Sequence, residues 1–109
     1  MINIENFKKL EIRVGTIVEA SPLPDAKTPA FILKINFGPF GKKTSSAQLT
    51  DLYTVEDLVD RQVICAVNLQ PKNIGSFVSE VLILGVSDVD GNTILLKTDI
   101  PIKEGAQVK

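Results

Sequence analysis

Lysine is the chemistry-bearing residue that clusters in this chain. Lys27, Lys34, Lys42 and Lys43 fall between Asp25 and Lys43 with a single acid among them, and Lys72 joins them if a turn brings it back. On one face, such ammonium groups contact phosphates through ion pairs and hydrogen bonds, and that affinity falls with salt. The same spacing suits solubilising surface lysines, so charge alone leaves both readings open. The whole-chain balance is more decisive. Twelve basic residues against thirteen acidic ones give a net charge of -1, so no global field draws the chain to nucleic acid or anionic membrane, and any such binding is local.

The candidate nucleophiles lack their partners. Histidine is absent, which removes the commonest neutral-pH proton shuttle and transition-metal ligand, and with them Ser-His-Asp triads and His-ligated zinc. Ser45 and Ser46 have no G-x-S-x-G elbow around them and read as polar loop or edge strand. Ser79-Glu80 sets a hydroxyl beside a carboxylate at a strand entrance, where the pair either holds a ligand or ties two loops together. Cys65 is the single cysteine; it forms no internal disulfide or Cys-rich cluster, suits a reducing compartment, and reads as a small core residue of an apolar strand. Gly38-Pro39-Phe40-Gly41-Lys42 lacks the G-x-x-x-x-G-K-[ST] spacing of a phosphate loop, so its glycines set a turn. No metal or cofactor site is expected.

The elements that must position these residues are short. Asn3 caps a brief helix with Ile4, Phe7 and Leu10 on one side, and one or two turns need a surface to rest on. Leu10 to Ala20 reads as a curved strand whose phase slips at Gly15, predicting a bulge near Gly15 and Thr16. Pro22, Pro24 and Pro29 confine the next segment, with Lys27, to a loop. Phe31, Leu33, Ile35 and Phe37 alternate with Lys34 and Asn36 along a clear strand; Phe31 and Phe37 read as core, with stacking on bases the alternative. Lys42 to Gln48 is too polar for a buried strand and reads as an exposed edge. Thr54 and Asp57 set a capping box for a small helix, with Val55, Leu58 and Val59 on one face.

Gln62 to Leu69 alternates as a strand that is apolar on both faces. Pro71 to Gly75 is a turn-rich insertion before a strand over Val78 to Leu84, and Asp90-Gly91 signals a hairpin before Ile94. Five or six strands with one or two short helices are most simply a small, closed or nearly closed all-β barrel, since closure removes exposed edges. The 109 residues, 44% of them hydrophobic, suffice for one folded domain over 1–109 and argue against disorder. The opening MINIENFKKLEIRVGT carries no continuous apolar leader, and no apolar run approaches the roughly 20 residues of a membrane span, so a cytoplasmic chain without membrane insertion is expected.

Five segments, IRVGTIVEA, INFG, KKTSSAQLT, VICAVNLQPKNIG and SEVLILG, occur in the order seen in the CsaA family, and the chain resembles that family over essentially its whole length. CsaA proteins are built on the tRNA-binding domain also appended to methionyl-tRNA synthetases. The resemblance implies an oligonucleotide/oligosaccharide-binding (OB) fold, a five-stranded barrel with short helices that dimerises through its terminal elements. It also implies non-covalent binding without catalysis or cofactor: an export-related chaperone for unfolded or secretory polypeptides and the export motor SecA, with tRNA as the alternative ligand. Carried over by motif, Lys43 and Lys72 would contact anionic ligands, while Arg13, Ser46, Gln48, Ser79 and Glu80 would shape the groove. Lys27, Lys34 and Lys42 would add phosphate contacts. Leu69-Gln70-Pro71 stands where the family often carries an aromatic residue followed by two prolines.

Overall fold

A computed structural model describes residues 1–24 and 26–109; Asp25, the acid that opens the lysine-rich stretch, lies outside the described residues. Asn3 accepts the Asn6 amide and starts helix α1 (Ile4–Lys9). Five strands then form the main sheet: β1 (Ile12–Pro22), β2 (Phe31–Asn36), β3 (Lys42–Ala47), β4 (Gln62–Ala66) and β7 (Leu82–Ile83), in the order β3-β2-β1-β4-β7, all antiparallel. Two hairpins complete the strands, β5 (Lys72–Ile74) with β6 (Phe77–Ser79), and β8 (Gly85–Ser87) with β9 (Thr93–Leu95). A second short helix, α2 (Val55–Leu58), connects β3 to β4.

The sheet curls around the inward apolar faces of β1, β2 and β4. Ile17, Leu33, Ile35, Phe37, Val63 and Cys65 meet in a core that Leu49 and Leu58 seal from one side, each such side chain contributing about 1.5–3 kcal/mol by leaving water. Closure between the two ends of the sheet runs through polar atoms. The amides of Glu80 and Val81 both donate to the Thr44 carbonyl, and the Ser45 hydroxyl donates to the Val81 carbonyl at 2.9 Å. This gives a nearly closed five-stranded barrel, the OB-type architecture expected from the sequence.

Several local expectations need correction. The register break in β1 falls between Ile17 and Glu19, one to three residues beyond Thr16. Gly15 serves packing instead: a Cβ there would stand 2.5 Å from the Ile35 side chain and 2.7 Å from the Phe37 ring. The segment over Lys42 to Gln48 is not a wholly exposed edge, since Ser45 is fully buried where the barrel closes. The capping box at Thr54 and Asp57 forms as read, but Val59 leaves the face it was assigned and is exposed; extended backbone ends the helix there. The strand from Gln62 stops at Ala66, the turn-rich insertion is itself the β5–β6 hairpin, and Val78 to Leu84 is divided by Glu80.

The end of the chain completes β1. Its first half is flanked by β4 on one side and by residues 105–108 on the other: Gly105 N donates to Val14 O, Val14 N to Ala106 O, and Val108 N to Ile12 O. Gly105 needs its positive φ of 93° here, and a Cβ would lie 2.7 Å from the Phe37 carbonyl oxygen. No helix among the described residues is long and apolar enough to cross a membrane.

Candidate binding groove

The outer face of β2 and β3 carries the candidate site. Register pairs Ile32 with Ser46, Lys34 with Thr44, and Asn36 with Lys42, so these six side chains share the surface that faces away from the core. In OB barrels, this second-and-third-strand face and its flanking loops are where oligonucleotides and oligosaccharides bind. One wall here is the proline-rich loop after β1, which contributes Leu23, Ala26 and Lys27; the other is the β5–β6 hairpin, which contributes Lys72, Ile74 and Gly75. Between them lies a cleft of about 540 Å³ that also reaches Ser46 and Gln48.

Two further hollows continue it around the hairpin. One of about 350 Å³ has apolar walls from Leu23, Ile32, Ile74 and Phe77. The other, about 240 Å³, runs past Ser46, Lys72, Ser79 and Glu80 to the exposed Leu69 and Leu82. Ile74 borders all three, so they adjoin as one curved groove with apolar walls and a cationic rim.

Ser79 and Glu80 hold the groove's shape. The Glu80 carboxylate accepts from both the amide and the hydroxyl of Thr44 at 3.0 Å, and the Ser79 hydroxyl accepts from the Ser46 amide at 3.1 Å. These side chains occupy the ladder positions of a missing strand and pin the hairpin to the edge of β3. Of the two roles left open for this pair, the tie between segments is therefore present in the geometry.

The lysines divide into three groups. Lys27 and Lys72 flank the widest part of the groove. Lys34 and Lys42 lie along the same outer face; Lys34 pairs with Glu19 at 3.7 Å, and Lys42 is exposed four residues from Ser46, about 13 Å along the strand. Lys43 points the other way. It is opposite buried Ile35 in register and shares the inward face of β3 with Ser45, which brings it to one mouth of the barrel beside Arg13. Arg13 is heavily engaged there: it donates to the Gly105 carbonyl at 2.8 Å, meets Glu11 at 3.3 Å, and lies 3.9 Å over the Phe40 ring. The structure thus brings Lys72, Ser46, Gln48, Ser79 and Glu80 together with Lys27, and sets Arg13 and Lys43 apart from them.

Sequence reasoning passed over the apolar half of the groove. Leu23, Ile32 and the Ile74–Phe77 pair come from three separate segments, and the prolines around Leu23 marked only a loop. Cys65 is fully buried, and desolvation pushes its thiol up to about 12, which keeps it protonated and inert. Among the described residues, no group of three or more Cys, Asp or Glu side chains is placed to hold a metal ion.

With this geometry in hand, comparison with known proteins is specific. The family model described as "Putative tRNA binding domain" matches residues 12–107. The CsaA chaperone protein from Picrophilus torridus is 43% identical, with a TM-score of 0.94 and coverage of 100% of both chains. The chaperone CsaA from Bacillus anthracis str. Ames is 39% identical with a TM-score of 0.95, covering 100% of this chain and 99% of that one. A methionine–tRNA ligase from Methanocaldococcus jannaschii is 35% identical over 108 residues, 99% of this chain but 16% of the ligase. The chain thus spans a small part of the curated relatives it matches, and the whole of the CsaA chains.

Proposed function

Since the chain belongs to the tRNA-binding-domain family, in its CsaA-like form, we propose that it is a non-catalytic chaperone that binds unfolded polypeptides in the groove between the β1–β2 loop and the β5–β6 hairpin. The observation that carries this reading is the end-to-end likeness to chaperone CsaA chains, where the ligases match over only 16% of their length. The groove's chemistry supports it. Leu23, Ile32, Ile74 and Phe77 offer apolar contact without a deep, shape-selective pocket, and Lys27 and Lys72 add charge at the rim, a combination that tolerates many client sequences.

In this reading the working form is a cytoplasmic homodimer built on terminal elements, and the clients are secretory chains on their way to an export motor such as SecA. Support for dimerisation comes from exposed apolar surface. Helix α1 buries none of its residues, and Met1, Ile2 and Ile4 stand in solvent; Val86, Val89, Ile94 and Ile100 do the same later in the chain. A six-residue helix is not stable by itself in water, and a partner surface that covers α1 would supply the packing it lacks.

The test is a light-scattering assay of an unfolded secretory polypeptide diluted into buffer. Wild-type protein is expected to suppress aggregation in a dose-dependent way, and Ile74→Asp, at the centre of the groove, to lose most of that effect. No suppression at any ratio overturns the proposal. A second reading, tRNA binding, is favoured by the family match and by Lys27 and Lys72 on one rim. It requires affinity that falls steeply with salt, with a salt slope that drops by about one for each phosphate-contacting lysine removed.

A further inference from the structure

The mouth of the barrel at Arg13 and Lys43 is a separate pocket with chemistry of its own. Interior-facing positions of a small barrel are ordinarily filled by apolar side chains, yet here two of them are cationic. Arg13 is opposite buried Cys65 in the β1–β4 register, and Lys43 is opposite buried Ile35 in the β2–β3 register. Phe37, Phe40 and Val67 supply apolar walls around them, and Glu11 stands at the rim.

The charges do not balance. Arg13 and Lys43 face one carboxylate, Glu11, which Arg13 already engages. Among the described residues no carboxylate lies within ion-pair distance of the Lys43 ammonium, and the Arg13 Nε is buried with no hydrogen-bond partner. A cation that is partly withdrawn from water and unpaired is stabilised by a ligand anion. The space measures about 210 Å³, below the ~300–1,000 Å³ of pockets that enclose a drug-sized ligand. It suits one amino-acid side chain better than a nucleotide with its base, ribose and phosphate.

We propose that this mouth captures the C-terminal residue of an unfolded polypeptide, its apolar side chain against Phe37, Phe40 and Val67 and its free carboxylate on Lys43. The inference rests on the polypeptide-binding reading for the source of the ligand, while the pocket's preference for an apolar carboxylate follows from its own lining. One charge and one apolar group of the same residue are matched at once, whereas an internal apolar residue offers the second without the first. Lys43 thereby acts apart from the groove that Lys27 and Lys72 flank.

The experiment is fluorescence anisotropy with two labelled short peptides ending in leucine, one a free acid and the other its C-terminal amide. The free acid is expected to bind on the order of tenfold more tightly, the scale of one charge-assisted hydrogen bond. Lys43→Gln should abolish the difference with the thermal transition unchanged, and Lys43→Arg should restore part of it. Equal affinity of the two peptides for the wild-type protein overturns the proposal and needs no variant to do so. Survival of the preference in Lys43→Gln also overturns it. So does displacement of the free acid by a short single-stranded oligonucleotide in wild type but not in Lys43→Gln, which would give the mouth to nucleic acid. Client aggregation is followed with the same preparations: loss of suppression with the carboxylate preference intact removes the chaperone reading alone, and the converse removes the mouth alone.

Discussion

Cys65 shows how a residue's chemistry is decided by what surrounds it. Its side chain is fully buried among apolar neighbours, and that desolvation lifts the thiol from its ordinary value near 9 to about 12. Native protein is therefore expected to resist iodoacetamide at pH 8, and protein unfolded in guanidinium to be alkylated at once; rapid labelling of the native form would contradict this burial. The sign of the linkage follows. Below pH 9 the thiol is protonated in both states and its contribution to stability is full; as pH rises from 9 towards 12 the unfolded chain ionises first, and that contribution is lost. This residue was legible from its alternating apolar neighbours. Arg13 was not, because spacing alone gives no sign that a cation will lie inward, over Phe40 and against the Gly105 carbonyl.

At the scale of elements, sequence pattern served best where one rule governs. Phe31, Leu33 and Ile35 form the inward face of β2 as expected, and Phe37, just past its end, is buried with them; Thr54 and Asp57 make both hydrogen bonds of the capping box. It failed where tertiary contacts choose between local options. Pro71 to Gly75 has the composition of a turn, yet Lys72–Ile74 pairs with Phe77–Ser79 because the hairpin has the edge of β3 to lean on. Glu80 is the hinge of that arrangement, which predicts a graded effect. Glu80→Ala leaves the Thr44 amide without its acceptor, while the Thr44 hydroxyl keeps the Val78 carbonyl, and is expected to cost about 1–3 kcal/mol in urea unfolding. Glu80→Gln keeps one acceptor oxygen and should cost less. Equal stability of Glu80→Ala and wild type would show that the hairpin is held by other contacts.

At the scale of the molecule, a chain of 109 residues forms one small barrel, and its exposed apolar surface at α1 and in the last third of the chain asks for a partner. Sedimentation over a range of concentrations is expected to give the mass of a dimer at micromolar protein, and Ile4→Asp to shift it towards monomer; a wild-type monomer throughout would contradict that arrangement. The net charge of -1 bears on the choice of ligand as well. It denies the chain a long-range pull on nucleic acid, leaving local lysines such as Lys27 and Lys72 at the rim, while the apolar groove walls remain effective at any salt concentration. The central claim, that unfolded polypeptide is the primary ligand of this groove, is tested most directly by competition. Labelled unfolded client is bound to the protein at physiological salt, and tRNA is titrated in. Client is expected to stay bound at physiological salt and to be displaced by tRNA only at low salt. Undetectable client binding alongside tight, salt-sensitive tRNA binding would contradict it.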